Sequence, residues 1–183
     1  RGIIVGTSLS NLAHLSDLIK LGLHVVAFDR PSLKDDSYAI DSVYVDNIHL
    51  MRLLVKHLTG LGHSRIGFIT GPVKTNSRRA RLNGFKTCMK DAGLQVDDEL
   101  IWEAKAKNFG DVSTVKLGRE GAHQLFSLKN PPTAIITVND MYAFGVYAGA
   151  RDLGVKIPKD VSVVGVDNLT LGEVVEPPLT TAE

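Results

Sequence analysis

Neither sign of charge dominates this sequence, which sets 21 Lys+Arg against 20 Asp+Glu over 183 residues for a formal net charge of +1. No global field draws the chain to nucleic acid or to an anionic membrane, and no basic arm occurs within it. Cysteine is almost absent. The single Cys88 cannot form an internal disulfide, fits a reducing compartment, and reads as a small buried thiol. Long apolar runs are missing too: none approaches the ~20 residues of a membrane helix. The opening RGIIVGTS is a short β-like run without the charged, apolar and cleavage regions of a signal peptide. A soluble chain without membrane contact is expected.

The motifs of several chemistries are lacking as well. There is no G-x-S-x-G elbow, H-E-x-x-H, C-x-x-C, Walker loop or G-x-G-x-x-G. His14, His24, His49, His57, His63 and His123 show no paired metal spacing and read as surface or capping residues. The D-x-D that would set two carboxylates on one Mg²⁺ is also missing. No nucleophile stands with its base, so neither an enzyme nor a cofactor is expected.

What is present is a globular composition, 44% hydrophobic and 22% charged, with β-branched runs alternating with helical stretches. Strands are expected at Gly2–Gly6, His24–Phe28, Val43–Val45, Arg65–Thr70, Leu100–Glu103, Thr133–Val138 and Val161–Val166. Between them, Ser10 caps a helix carrying Leu12, Leu15 and Ile19 that stops at Gly22. Asn47 caps another, with Leu50, Leu53, Leu54, Leu58 and Leu61 on the 3.6 period. Further helices are expected over Ser77–Ala92 (closed by Gly93), Leu117–Leu128 and Met141–Leu153. Nearly continuous apolar strands separated by helices predict doubly wound parallel sheets, with the polar stretch Pro31–Asp46 as an internal seam.

Open parallel sheets bind ligands beyond the carboxyl ends of their strands, and here those ends are polar. Thr7 and Ser8, Asp29 and Arg30, Asp46 and Asn47, Asn139 and Asp140, and Asp167 and Asn168 each follow a strand. Any one of them can simply cap the next helix; their joint placement along one edge is what suggests a site. Arg81 shares a helical face with Phe85, Cys88 and Ala92, so its guanidinium points inward. It is either held in a structural ion pair or forked onto a ligand's oxygens. Lys74, Arg78 and Arg79 read as a solvated basic helix start. Trp102 reads as core, whereas Phe109, among Lys, Asn and Gly, could stack on a sugar or base.

The run HLTGLGHSRIGFITGP (His57–Pro72), continued by RARLNGFKTCMKDAGL (Arg79–Leu94), resembles the LacI/GalR family of bacterial transcriptional regulators. So do PPTAIITVNDMYAFGVYAGARDLGVKIPKDVSVVGVDN (Pro131–Asn168) and PPLTT (Pro177–Thr181), while RGIIVGTS and VVAFDR are similar to late strands of that family's first lobe. The resemblance implies a two-lobed periplasmic-binding-protein-like fold whose first lobe is incomplete here. Residues 1–46 would belong to that first lobe, 47–181 form the second, and 182–183 begin the return. It also implies an effector site at Ser8, Ser77, Arg81, Phe109, Asn139 and Asp167, with Asp29 and Asp46 in interlobe signalling.

The implied function is the sensing of a small-molecule effector, a sugar or derivative, by a cytoplasmic homodimer. Operator DNA would be read by a helix-turn-helix domain absent from this sequence. An exported sugar-binding protein of a transport system shares the fold and is the alternative. Two departures stand out: Leu50 where the family usually has Gly, and DVSTVKLGRE after Phe109, which is longer than usual.

Overall fold

The computed structural model describes residues 1–6, 13–29, 40–105 and 111–183. Two parallel sheets organise them. The first has the order β1-β2-β3, formed by β1 (Gly2–Gly6), β2 (His24–Phe28) and β3 (Asp41–Val43). The second has the order β5-β4-β6-β7-β8 and is built from β4 (Ile66–Thr70), β5 (Ile101–Glu103), β6 (Ala134–Thr137), β7 (Ser162–Val166) and β8 (Thr180–Ala182). Every pairing is parallel, as the apolar runs predict. Every residue of β4 and β6 is buried, which requires cover on both faces of the sheet.

That cover comes from two helix pairs. α2 (Asn47–Gly60) packs with α3 (Asn76–Asp91), and α4 (Asp111–Phe126) with α5 (Asp140–Leu153). Only glycine fits the α4/α5 contact at Gly118 and Gly145, where a Cβ would collide with the backbone oxygens of Tyr142 and Val115 respectively. Phe85 of α3 stacks on Phe68 of β4 with ring centroids 5.0 Å apart, fixing α3 one turn beyond Arg81. Two shorter α-helices, α1 (Ser16–Lys20) and α6 (Leu171–Val174), and 3-10 turns at Ala13–Leu15 and Asp98–Leu100 complete the described helices.

Several expectations shift by a few residues. The second helix starts at Asn47, but its cap is Asp46, whose Oδ1 accepts from the His49 amide at 2.9 Å. Thr75 caps α3, so that helix begins at Asn76 rather than Ser77. α4 begins at Asp111 instead of Leu117, so the extra residues after Phe109 largely extend a helix. Leu50, in place of the usual Gly, is buried in the core under α2. β3 lies at Asp41–Val43, leaving Tyr44–Asp46 as the link between the two sheets' elements. The sequence pattern marks neither β8 nor α6, and β8 extends the second sheet to Ala182. Ser8, Ser10, Leu12, Phe109 and most of the expected seam lie outside the described residues.

The order β5-β4-β6 places a switch point between β4 and β6, since the chain leaves β4 toward one side for β5 and returns to the other for β6. A crevice opens there beyond the strand ends.

Candidate functional site

Arg81 occupies that crevice. It lies on the second turn of α3 with its side chain 13% exposed. Nε donates to Asn47 Oδ1 at 2.7 Å, and Nη1 donates to the Val138 carbonyl at 2.5 Å, just past β6. Asp167, at the end of β7, brings Oδ1 to 3.9 Å from Nη1, beyond hydrogen-bond reach. Burial lowers the Arg81 pKa, opposed by the carboxylates of Asp167 and Asp29, while the nearby Arg78 lowers it further. The guanidinium stays cationic at neutral pH. Partial burial raises the Asp167 pKa; Arg81 opposes the shift, and Asp140 and Asp29 add to it.

Asp29 belongs to the first sheet's edge and Asp167 to the second's, so one arginine feels carboxylates from both. Three described residues other than glycine have positive φ: Asp29 (55°), Asp167 (113°) and Asn168 (49°). All three follow strands on this edge. Such backbone is costly outside glycine, least so for Asp and Asn, and it clusters where a site demands a particular side-chain direction.

The Asp167 loop is held from below by Asp140. This fully buried carboxylate accepts from the Leu169 amide at 2.9 Å through Oδ2 and from the Thr181 hydroxyl at 2.6 Å through Oδ1. It lies in the first turn of α5, where the helix dipole favours negative charge. Asp140 therefore braces α5, the loop after β7 and β8 rather than lining the cleft. Gly165 is required beside it, because a Cβ there would strike Asp140 Oδ1.

Beside Arg81, a cleft of about 470 Å³ separates Asp29 from α3 and the start of α2. Asp46, Asn47, Asn76 and Ser77 supply polar atoms to its walls, and Tyr44, Ile48 and Ala80 supply apolar surface. Of the expected site residues, Asp29, Asp46 and Ser77 meet in this cleft, and Arg81 and Asp167 face each other next to it. Asn139 has a second duty: its Oδ1 accepts from the Tyr142 amide at 3.2 Å, capping α5. Ser8 and Phe109 lie outside the described residues.

Arg78 and Arg79 turn back onto the Pro72 and Lys74 carbonyls, so neither forms an open phosphate cradle. Trp102 packs against the core beside Gly121. His63 is neither merely surface nor a cap, because its two ring nitrogens lie 3.0 Å from the hydroxyls of Thr133 and Ser162, linking the starts of β6 and β7. Among the described residues no cluster of three or more His, Cys, Asp or Glu could hold a metal, and no helix is long and apolar enough to cross a membrane. The site residue that sequence reasoning missed is Asn47. It stands among the polar strand ends, where the sequence pattern reads it as a helix cap.

Residues 55–183 match the family described as periplasmic binding protein-like domain. The transcriptional regulator DegA of Bacillus subtilis is 32% identical over 180 residues, 98% of this chain and 51% of that protein. The transcriptional repressor CytR of Escherichia coli is 34% identical over 142 residues, 78% of this chain and 40% of its own length. The chain thus spans about half or less of these relatives. Among solved structures, a LacI-family regulatory protein from Chloroflexus aggregans superposes with a TM-score of 0.86 at 28% identity, covering 98% of this chain and 61% of that one. A sugar-binding LacI-family regulator from Escherichia coli, complexed with phosphate, gives 0.84 at 25% identity, covering 98% and 62%. The chain belongs to the periplasmic binding protein-like domain family, in the form that serves LacI/GalR transcriptional regulators as their effector-binding domain.

Proposed function

We propose that this chain is the effector-binding and dimerisation core of a LacI/GalR-type regulator that senses a sugar or a sugar derivative. The two sheets are its two lobes, with residues 1–46 in the first and the bulk of 47–181 in the second. The observation that carries the reading is the placement of Arg81. Its charge is largely but not fully buried, yet its direct hydrogen bonds among the described residues go only to neutral oxygens, with the carboxylates of Asp167 and Asp29 nearby.

Adjacent sugar hydroxyls each donate and accept. One ligand edge can therefore accept from the remaining Arg81 N–H groups while donating to Asp167. The Asn139 amide, the ring of Phe109 and the hydroxyls of Ser8 and Ser77 are the further effector contacts that the family resemblance implies. Ligand held between the lobes favours one relative orientation of the two, with Asp29 and Asp46 carrying the change across. In a dimer, that shift alters the spacing of two DNA-reading heads supplied by chain outside this segment. Operator binding, a cytoplasmic location and the absence of catalysis follow from the same reading.

Exposed Leu171 and Val174 on α6, next to a groove floored by Phe144, Tyr147 and Val175, support a dimer contact made by second-lobe helices. A thermal-shift screen of the complete regulator against neutral and phosphorylated sugars and nucleosides tests the reading. A stabilising ligand whose effect disappears in Arg81→Ala supports it. A ligand that stabilises both proteins equally removes Arg81 from the site.

A further inference from the structure

The geometry points to Asn47 as the positioning residue that aims Arg81, joining the arginine of the second sheet's crevice to the Tyr44–Asp46 link between the sheets' elements. The structural contacts stand alone; their meaning for effector binding rests on the reading proposed above.

Asn47 is the first residue of α2, a place where helix propensity favours other side chains and where the capping duty already belongs to Asp46. It is nonetheless buried, at 9% exposure, and both ends of its carboxamide are engaged. Oδ1 accepts from Arg81 Nε at 2.7 Å, and Nδ2 donates to the Val45 carbonyl at 3.1 Å. The Asn47 backbone amide donates to that same carbonyl at 2.9 Å. Val45 belongs to the Tyr44–Asp46 link, so a chain of hydrogen bonds runs from the link through Asn47 to the guanidinium and on to Val138 beyond β6.

Two anchors on different nitrogens fix the plane of a side chain that otherwise turns about four bonds. They use two of the five guanidinium N–H groups and leave three, including both on Nη2, for other acceptors. The neutrality of Asn47 matters as much as its position. A carboxylate at position 47 would hold Nε equally well but would pair with the charge and compete with an incoming ligand. An amide orients the cation and leaves it un-neutralised.

The side-chain ¹⁵N–¹H resonance of Arg81 Nε in the 183-residue chain, assigned by its disappearance in Arg81→Lys, reports this bond without any ligand. Loss of a hydrogen bond to a charged group corresponds to at least about tenfold faster exchange with water. The expected result is such acceleration in Asn47→Ala and retained protection in Asn47→Asp, with the amides of Phe68 and Ile135 staying protected in both. Unchanged Arg81 protection in a folded Asn47→Ala overturns the assignment. If Asn47→Ala fails to fold, Asn47→Asp decides: protection kept supports the bond, and protection lost in a folded protein overturns it. Failure of any sugar to bind leaves this readout untouched, so the two readings fail separately.

Discussion

Arg81 Nη1 and Asp167 Oδ1 stand 3.9 Å apart across the crevice beyond β6 and β7, close enough for each charge to shift the other's protonation and too far for a direct hydrogen bond. A tight ion pair would consume both groups. At this separation each keeps hydrogen-bonding capacity for a third molecule, and the raised Asp167 pKa makes the gap sensitive to pH.

Effector binding is expected to weaken as pH falls into the raised titration range of Asp167, because the protonated carboxyl loses acceptor capacity. The stability linkage has its own sign. A carboxylate whose folded pKa lies above its unfolded value contributes stability below the unfolded pKa and loses it as pH rises through the folded one. The stability difference between Asp167→Asn and the parent should therefore move in the variant's favour as pH rises through that window. Parallel urea titrations at several pH values measure this, and a difference that stays constant contradicts the Asp167 environment described here.

Asn139 serves as a cap and as a proposed effector contact, and two substitutions separate those duties. Asn139→Asp keeps a capping oxygen and should leave stability within about 0.5 kcal/mol, whereas Asn139→Ala loses the cap and should cost about 1 kcal/mol. Both should weaken effector binding. Asn139→Asp binding with parental affinity by calorimetry would limit the residue to its capping role.

Asp140→Ala should destabilise the chain by roughly 2–4 kcal/mol, because it strips acceptors from the Leu169 amide and the Thr181 hydroxyl in a buried setting. Denaturation with an unchanged m-value checks this. A cost under about 0.5 kcal/mol would place the brace of the Asp167 loop elsewhere.

Gly145→Ala forces a methyl group onto the Val115 carbonyl, which is backbone and cannot swing aside. A loss of about 1–3 kcal/mol or more is expected as α4 and α5 separate, read as a lower thermal midpoint. A neutral result would mean that the helix pair has slack where the contact is tight.

The strands were legible because both faces of the second sheet are covered, so Ile66–Thr70 and Ala134–Thr137 read as unbroken apolar runs. β8 leaves no local signal because Thr180–Ala182 is a three-residue edge strand after two prolines, and its pairing with Val164–Val166 is purely tertiary. α4 begins six residues earlier than periodicity indicates, since the first turns, DVSTVK, have too few apolar positions to mark a face. Arg81 could be found from its spacing to Phe85. Asn47 could not be assigned its partner, because a contact across 34 residues leaves no local trace and Asp–Asn at a helix start reads equally well with either residue as the cap.

Calorimetric titration of the complete regulator with the sugar or nucleoside picked out by thermal shift, comparing the parent with Arg81→Ala, tests the central claim most directly. A folded variant that binds roughly ten- to hundredfold more weakly, equivalent to about 1.5–3 kcal/mol for hydrogen bonds from a charged donor, is the predicted result. Parental affinity in a folded Arg81→Ala, or a variant that unfolds while its remaining folded fraction binds normally, would make Arg81 a structural residue and contradict the account.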